Sequence, residues 1–142
     1  DGFALKAAQI EGATVDAPVK LKVVAEIPAG STYEGDLAHD ECVRIMTGAP
    51  VPACADSVVK YELVDYEGGD GRAGSCVAFA EPTALRSNVR EAGEEIARGE
   101  VAIHAGEVIR AAGVGFIASC GIMEVPVYRR PKVAIISIGS EL

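Results

Sequence analysis

Tryptophan is absent from this chain of 142 residues, and only 5% of its side chains are aromatic. A base-stacking or carbohydrate platform would have to be built from very few rings. Positive charge is also in deficit: 13 basic residues face 21 acidic ones, for a formal charge of −8. Phosphate neutralisation needs clustered Lys and Arg, so this balance excludes a nucleic-acid binder that relies on a basic face. Long apolar runs are missing. The longest uncharged stretch, Ala111 to Met123, is interrupted by Gly113, Gly115 and Gly121, whereas a membrane-spanning helix needs about 20 apolar residues. No basic segment followed by an apolar stretch opens the chain, so no signal peptide is visible.

Metal-ligating spacing is lacking too. Cys42, Cys54, Cys76 and Cys120 contain no C-x-x-C pair, and His39 and His104 are far apart in sequence. Structural zinc draws its ligands in close pairs, so reduced, partly buried thiols are the expectation here. The first residue is Asp rather than Met, which is read as a start that has been processed or cropped.

What remains is ordinary globular composition, 49% hydrophobic and 24% charged, enough for one core or two small modules. Sixteen glycines and seven prolines divide it into short segments. Leu5 to Ile10 is compatible with a helix. The β-branched run Leu21 to Ile27 reads as a strand, stopped by Pro28-Ala29-Gly30. Glu41 to Met46 alternates, so Cys42, Arg44 and Met46 face one way and Val43 and Ile45 the other. Ser57 to Val64 and Cys76 to Phe79 read as strands joined by a hairpin-like Gly-rich connection, Gly68 to Gly74.

The character changes near residue 87. Asn88 to Glu95 is polar and Gly-containing, an ordered loop; Glu100 to Glu107 suggests a short strand and turn. Val108 to Cys120 is the best helix candidate, with Gly121 placed as its stop. Glu124 to Tyr128 suggests a short strand. The continuous apolar run Lys132 to Ser137 typifies the first parallel strand of an α/β domain.

Four places could carry chemistry. Thr47 offers a hydroxyl at a strand end, Gly48 allows close backbone approach, and Pro50 and Pro52 stiffen the exit; the alternative is a turn in which Thr47 caps its own backbone. Asn88 and Arg90 beside Gly93-Glu94-Glu95 could clamp an anion or hold a hydrated Mg²⁺, or form only a solvated loop. Ser137-Ile138-Gly139 lies at a strand–turn–helix junction, where α/β domains place anions. Asp1-Gly2 sets a carboxylate beside a glycine, where the alternative is a frayed terminus.

The order of these blocks is diagnostic. Asp-Gly-Phe-Ala (1–4), Ile-Pro-Ala-Gly (27–30) and Arg-Ile-Met-Thr-Gly-Ala-Pro-Val-Pro (44–52) are followed by Ala-Asp-Ser-Val-Val (55–59) and Asn-Val-Arg-x-x-Gly-Glu (88–94). Arg-Arg-Pro-x-Val-Ala-Ile-Ile-Ser-x-Gly-x-Glu-Leu (129–142) closes the series. Over essentially the whole chain this resembles the molybdenum-insertion enzymes of the MoeA and gephyrin E-domain type.

The resemblance implies insertion of molybdate into adenylylated molybdopterin, with release of AMP and dependence on a divalent cation such as Mg²⁺. It implies an elongated cytoplasmic homodimer, with other molybdenum cofactor biosynthesis proteins as candidate partners and no role for nucleic acid or membrane. Carried over residue by residue, the catalytic positions are Asp1, Thr47 and Glu141. The substrate-binding positions are Gly48, Ala49, Pro50, Asn88, Arg90, Ser137 and Gly139, with Glu141 and Glu95 at the metal.

Four departures stand out: Phe3 replaces Tyr, Glu95 replaces Asp, and Ile138 and Ser140 replace Thr and Asp. The expected fold is α+β and β-rich. A mostly β module (19–86) is inserted into a smaller mixed module (1–18 and 87–128), and residues 129–142 form the first strand of a truncated α/β domain. On this reading the chain by itself is catalytically inert. A non-catalytic dimerisation or partner-binding scaffold is the alternative.

Overall fold

The computed structural model describes residues 1–139, which divide into two compact units, Asp1–Glu91 and the residues from Ala92 onward. The first unit is a single six-stranded sheet. Its strands are β1 (Gly2–Leu5), β2 (Val19–Ile27), β3 (Glu41–Ile45), β4 (Ser57–Lys60), β5 (Val64–Asp65) and β6 (Cys76–Phe79). Their order across the sheet is β4-β1-β3-β2-β6-β5. All neighbours are antiparallel except β2 and β3, which run parallel.

Side-chain alternation sorts the apolar residues into two clusters, one on each face. Phe3, Leu5, Cys42, Val59, Val77 and Phe79 meet on one face; Ala4, Val43, Ile45 and Val58 meet on the other. The expected split of β3, with Cys42 opposed to Val43 and Ile45, is therefore present. β2 serves both clusters by means of an irregularity. Its register against β3 slips between Val23 and Ala25, so Leu21 and Val23 face the first cluster and Ile27 the second. One inserted residue exchanges the faces of everything beyond it.

The sheet curls around the first cluster. β4 and β5 lie at its two ends, yet only a 3₁₀ turn, Tyr61–Leu63, separates them in sequence, and Val59 and Val64 share that cluster. Phe3 on β1 meets Phe79 on β6 edge-on at 6.3 Å and Tyr66 at 6.1 Å. Ring pairs in this range add to the area they bury.

The expected helix over Leu5–Ile10 is instead the end of β1 followed by a 3₁₀ turn, Ala7–Ile10. The reason lies in Gln9. Its Nε2 donates to the carbonyls of His39 (2.7 Å), Glu41 (3.0 Å) and Ala38 (3.1 Å), while its Oε1 accepts from Lys6 N–H at 2.7 Å. These bonds pin the turn to the loop that enters β3. Gln9→Glu would turn a carboxylate toward three carbonyls. It is expected to cost about 2 kcal/mol in a urea titration, the penalty for acceptors left without a donor.

Ser57 is fully buried and satisfied. Its Oγ donates to Ala84 O (3.1 Å) and accepts from Arg86 N–H (3.0 Å), and Val58 N–H donates to Ser87 O at 2.9 Å. Residues 84–88 thus run along the outer edge of β4 and occupy groups that an open edge would expose.

In the second unit the expected helix forms as α1 (Ala111–Ser119). Gly121 takes φ +76° and donates to Ala118 O (2.9 Å), and Ile122 donates to Ile117 O (3.2 Å). This paired closure uses glycine where other residues would be strained. The strands expected at 100–107 and 124–128 do not form. The former segment contains a turn instead, with Glu107 N–H donating to His104 O at 3.2 Å and His104 N–H to Glu107 Oε2 at 3.4 Å. Nor does the run 132–137 become a strand, and Val133, Ile135 and Ile136 are exposed. A strand exists only as part of a ladder, and no described residue offers this segment one. The described residues are therefore mostly β, with a curled sheet and one α-helix.

Candidate functional site at the Asp1–Thr47 end of the sheet

β1 and β3 pair with Gly2 opposite Ile45, so the residues just beyond them meet at one end of the sheet. There Asp1 and Thr47, 46 residues apart in sequence, make a mutual contact. Asp1 Oδ1 accepts from Thr47 N–H at 3.0 Å and from Thr47 Oγ1 at 3.3 Å. The amino group of Asp1, the first residue of this chain, donates to Thr47 Oγ1 at 2.8 Å. On its other side, the Asp1 carbonyl accepts from Tyr61 N–H at 3.3 Å.

Thr47 and Gly48 occupy the two middle positions of a turn closed by Ala49 N–H to Met46 O at 3.0 Å. Gly48 has φ +85°, which this turn needs at its third residue and which glycine supplies without strain. No atom lies within 4 Å of where its Cβ would stand, so the backbone here is open to approach. Met46 N–H donates to Ile27 O at 3.0 Å and ties the turn to β2. Asp1, Thr47, Gly48 and Pro50 are exposed, and Ala49 is half-buried.

A second predicted block shares the packing beneath this turn. Ala49, Val51 and Val89 all rest on the cluster formed by Ala4, Ile27, Val43, Ile45 and Val58. Asn88 stands beside β4 with φ +55°, and its Nδ2 donates to Val58 O (2.8 Å) and Ser87 Oγ (3.2 Å). The first of these bonds holds the 84–88 segment to the sheet, and the second lies within that segment. Arg90 is exposed in the same unit.

Glu95, Ser137 and Gly139 are exposed residues of the second unit, and Glu141 lies outside the described residues.

In the sequence Gly2 stands out only as the neighbour of the Asp1 carboxylate, and Gln9 does not stand out. Gly2 carries the meeting of Asp1 with Thr47, because β1 is clasped there between β3 and β4. A glycine inside a strand is a signal of close backbone approach, and that signal was available. Cys42, also on β3, is fully buried, and burial pushes its thiol up to about 12. An apolar setting disfavours the thiolate, so this cysteine is chemically inert.

Residues 1–121 match the family model described as the MoeA N-terminal region, domains I and II. The chain belongs to this family. Among its MoeA relatives is molybdopterin molybdenumtransferase 2 of Mycobacterium tuberculosis, 39% identical over the full chain and 34% of that protein's length. Molybdopterin molybdenumtransferase of Staphylococcus aureus is 35% identical over the full chain and 32% of its own length. The chain thus spans about a third of the relatives it matches. Two crystal structures of a molybdopterin biosynthesis MoeA protein from Pyrococcus horikoshii share the fold. Their TM-scores are 0.76 and 0.72, at 29% and 28% identity, covering 89% and 86% of this chain and 32% and 30% of theirs.

Phe3 is fully buried, with its ring against those of Phe79 and Tyr66. Mg²⁺ is a different matter. Among the described residues no three His, Cys, Asp or Glu side chains converge, and Asp1 Oδ1 is already engaged by Thr47. The described residues do not fit a Mg²⁺ site by themselves, so no step is derived through the ion.

Proposed function

We propose that this chain is the part of a molybdopterin molybdenumtransferase that presents the Asp1–Thr47 turn to the pterin substrate. The parent enzyme inserts molybdate into adenylylated molybdopterin and releases AMP, as one homodimeric protein of the cytoplasmic molybdenum cofactor route. The observation that carries the reading is the convergence of the Asp-Gly-Phe-Ala and Thr-Gly-Ala-Pro blocks into one hydrogen-bonded unit, within a chain matched along its whole length by proteins of that name.

In this reading Thr47 gives the substrate a fixed hydroxyl, and Gly48 lets it reach the backbone. Ala49 and Pro50 hold the turn's exit, and Arg90 offers a planar donor to phosphate oxygens. Residues 129–142 open the α/β domain to which Ser137, Gly139 and Glu141 belong. Glu141 and Glu95 are the positions assigned to Mg²⁺. The chain alone is inert, because these parts of the site need the rest of the parent protein.

In the full-length parent, Thr47→Ala is expected to slow AMP release from adenylylated molybdopterin about 10- to 100-fold, the scale of losing one positioning contact. The thermal melting point should be unchanged, since Thr47 is exposed. Turnover at the parental rate would overturn the assignment.

A further inference from the structure

The geometry points to a positioning role for Asp1: its carboxylate fixes the Thr47 turn, and it serves the reaction through Thr47 without meeting the substrate. This inference rests on the reading of Thr47 given above. Turn 46–49 closes its own bond through Ala49 N–H, which leaves Thr47 N–H with no acceptor inside the turn. Asp1 Oδ1 supplies that acceptor at 3.0 Å. The same oxygen accepts a hydrogen bond from the Thr47 hydroxyl at 3.3 Å.

A hydroxyl has one proton and two lone pairs. Asp1 Oδ1 takes the proton, so the carboxylate sets the hydroxyl rotor and the lone pairs stay available to a donor. Asp1 is itself held from the far side by Tyr61 N–H on its carbonyl. The ladder register of β1 between β3 and β4 places all of this.

The role needs an acceptor oxygen at this position and does not need a charge. An amide oxygen can accept both Thr47 hydrogens, whereas it cannot replace a carboxylate that binds a cation or takes a proton. Asp1→Asn and Asp1→Ala therefore separate the two roles.

The test uses the full-length parent protein, with AMP release from adenylylated molybdopterin and hydrogen exchange of the peptide spanning residues 46–50. Asp1→Ala is expected to lower kcat about 10- to 100-fold, and Asp1→Asn to recover at least about tenfold of that loss. The double variant Asp1→Ala/Thr47→Ala should be no slower than Thr47→Ala alone, because the two residues act as one unit. Exchange in the 46–50 peptide should quicken about tenfold in Asp1→Ala and stay slow in Asp1→Asn.

Asp1→Asn turning over as poorly as Asp1→Ala while exchange stays slow would overturn the inference, since the charge itself would then be required. Unchanged exchange in Asp1→Ala would overturn it as well. Full activity of Thr47→Ala would instead sink the proposed function, and the exchange comparison would still decide whether Asp1 holds the turn.

Discussion

Replacing Gly2 with Ala is expected to lower the stability of the chain by about 3 kcal/mol, the upper range for forcing atoms into a packed interior. A Cβ at Gly2 would stand 2.2 Å from the carbonyl oxygen of Val59 and 3.1 Å from Val58 Cγ1. The first of these atoms is backbone in β4, paired to β1 from Gly2 through Leu5. It cannot swing aside as a side-chain tip would. Relief requires β1 and β4 to separate, which loosens the register that sets Asp1 beside Thr47. Urea unfolding followed by circular dichroism measures the effect. Gly12→Ala is the control, because no atom lies within 4 Å of its Cβ position, and it should fall within about 0.5 kcal/mol of the parent. Equal midpoints for the two variants would contradict the close approach.

The second large effect is alkaline. Burial raises the Cys42 thiol from its ordinary value of 9.0 to about 12. Between these values the unfolded chain gives up the proton and the folded chain keeps it. The contribution is fully present below about pH 9 and declines as pH rises toward 12, by up to about 1.4 kcal/mol per pH unit. Cys54 and Tyr66 are also raised, mainly by burial, and Lys20 is raised mainly by its hydrogen bond to Glu67, so all four groups act in the same direction. Cys42→Ala isolates the buried thiol. Across pH 9 to 11 its stability, measured by urea titration, should decline less steeply than that of the parent. Parallel slopes would show that Cys42 titrates normally.

The two effects show which parts of the fold can be read from residues alone. β2 and β3 were legible because β-branched and apolar residues alternate in part and Gly or Pro closes each run, and β6 because a short apolar run follows the Gly-rich stretch 68–74. The helix was legible because Gly121 marks its end, although it begins at Ala111 rather than Val108, since Arg110 is extended. β1 was misread as leading into a helix. Its four residues are buried on both faces, as are those of a buried helix segment, and periodicity alone does not separate the two. The run 132–137 has strand composition, but its form depends on a neighbour, and no described residue pairs with it.

The candidate site divides in the same way. Thr47, Gly48 and the prolines identify a stiff, open turn by their chemistry, and Asp1-Gly2 identifies a carboxylate beside a residue able to tolerate crowding. Residue order determined the family resemblance, and composition determined that no basic face or apolar spanning run lies in this chain. Only the tertiary structure decided that Asp1 reaches Thr47, and that the Asn88 side chain bonds Val58 O on β4. It also decided which apolar cluster each half of β2 joins. The physical reason is that side-chain type is local, whereas ladder register and a one-residue slip are properties of paired strands. They bring together groups 46 residues apart and are encoded in no single segment.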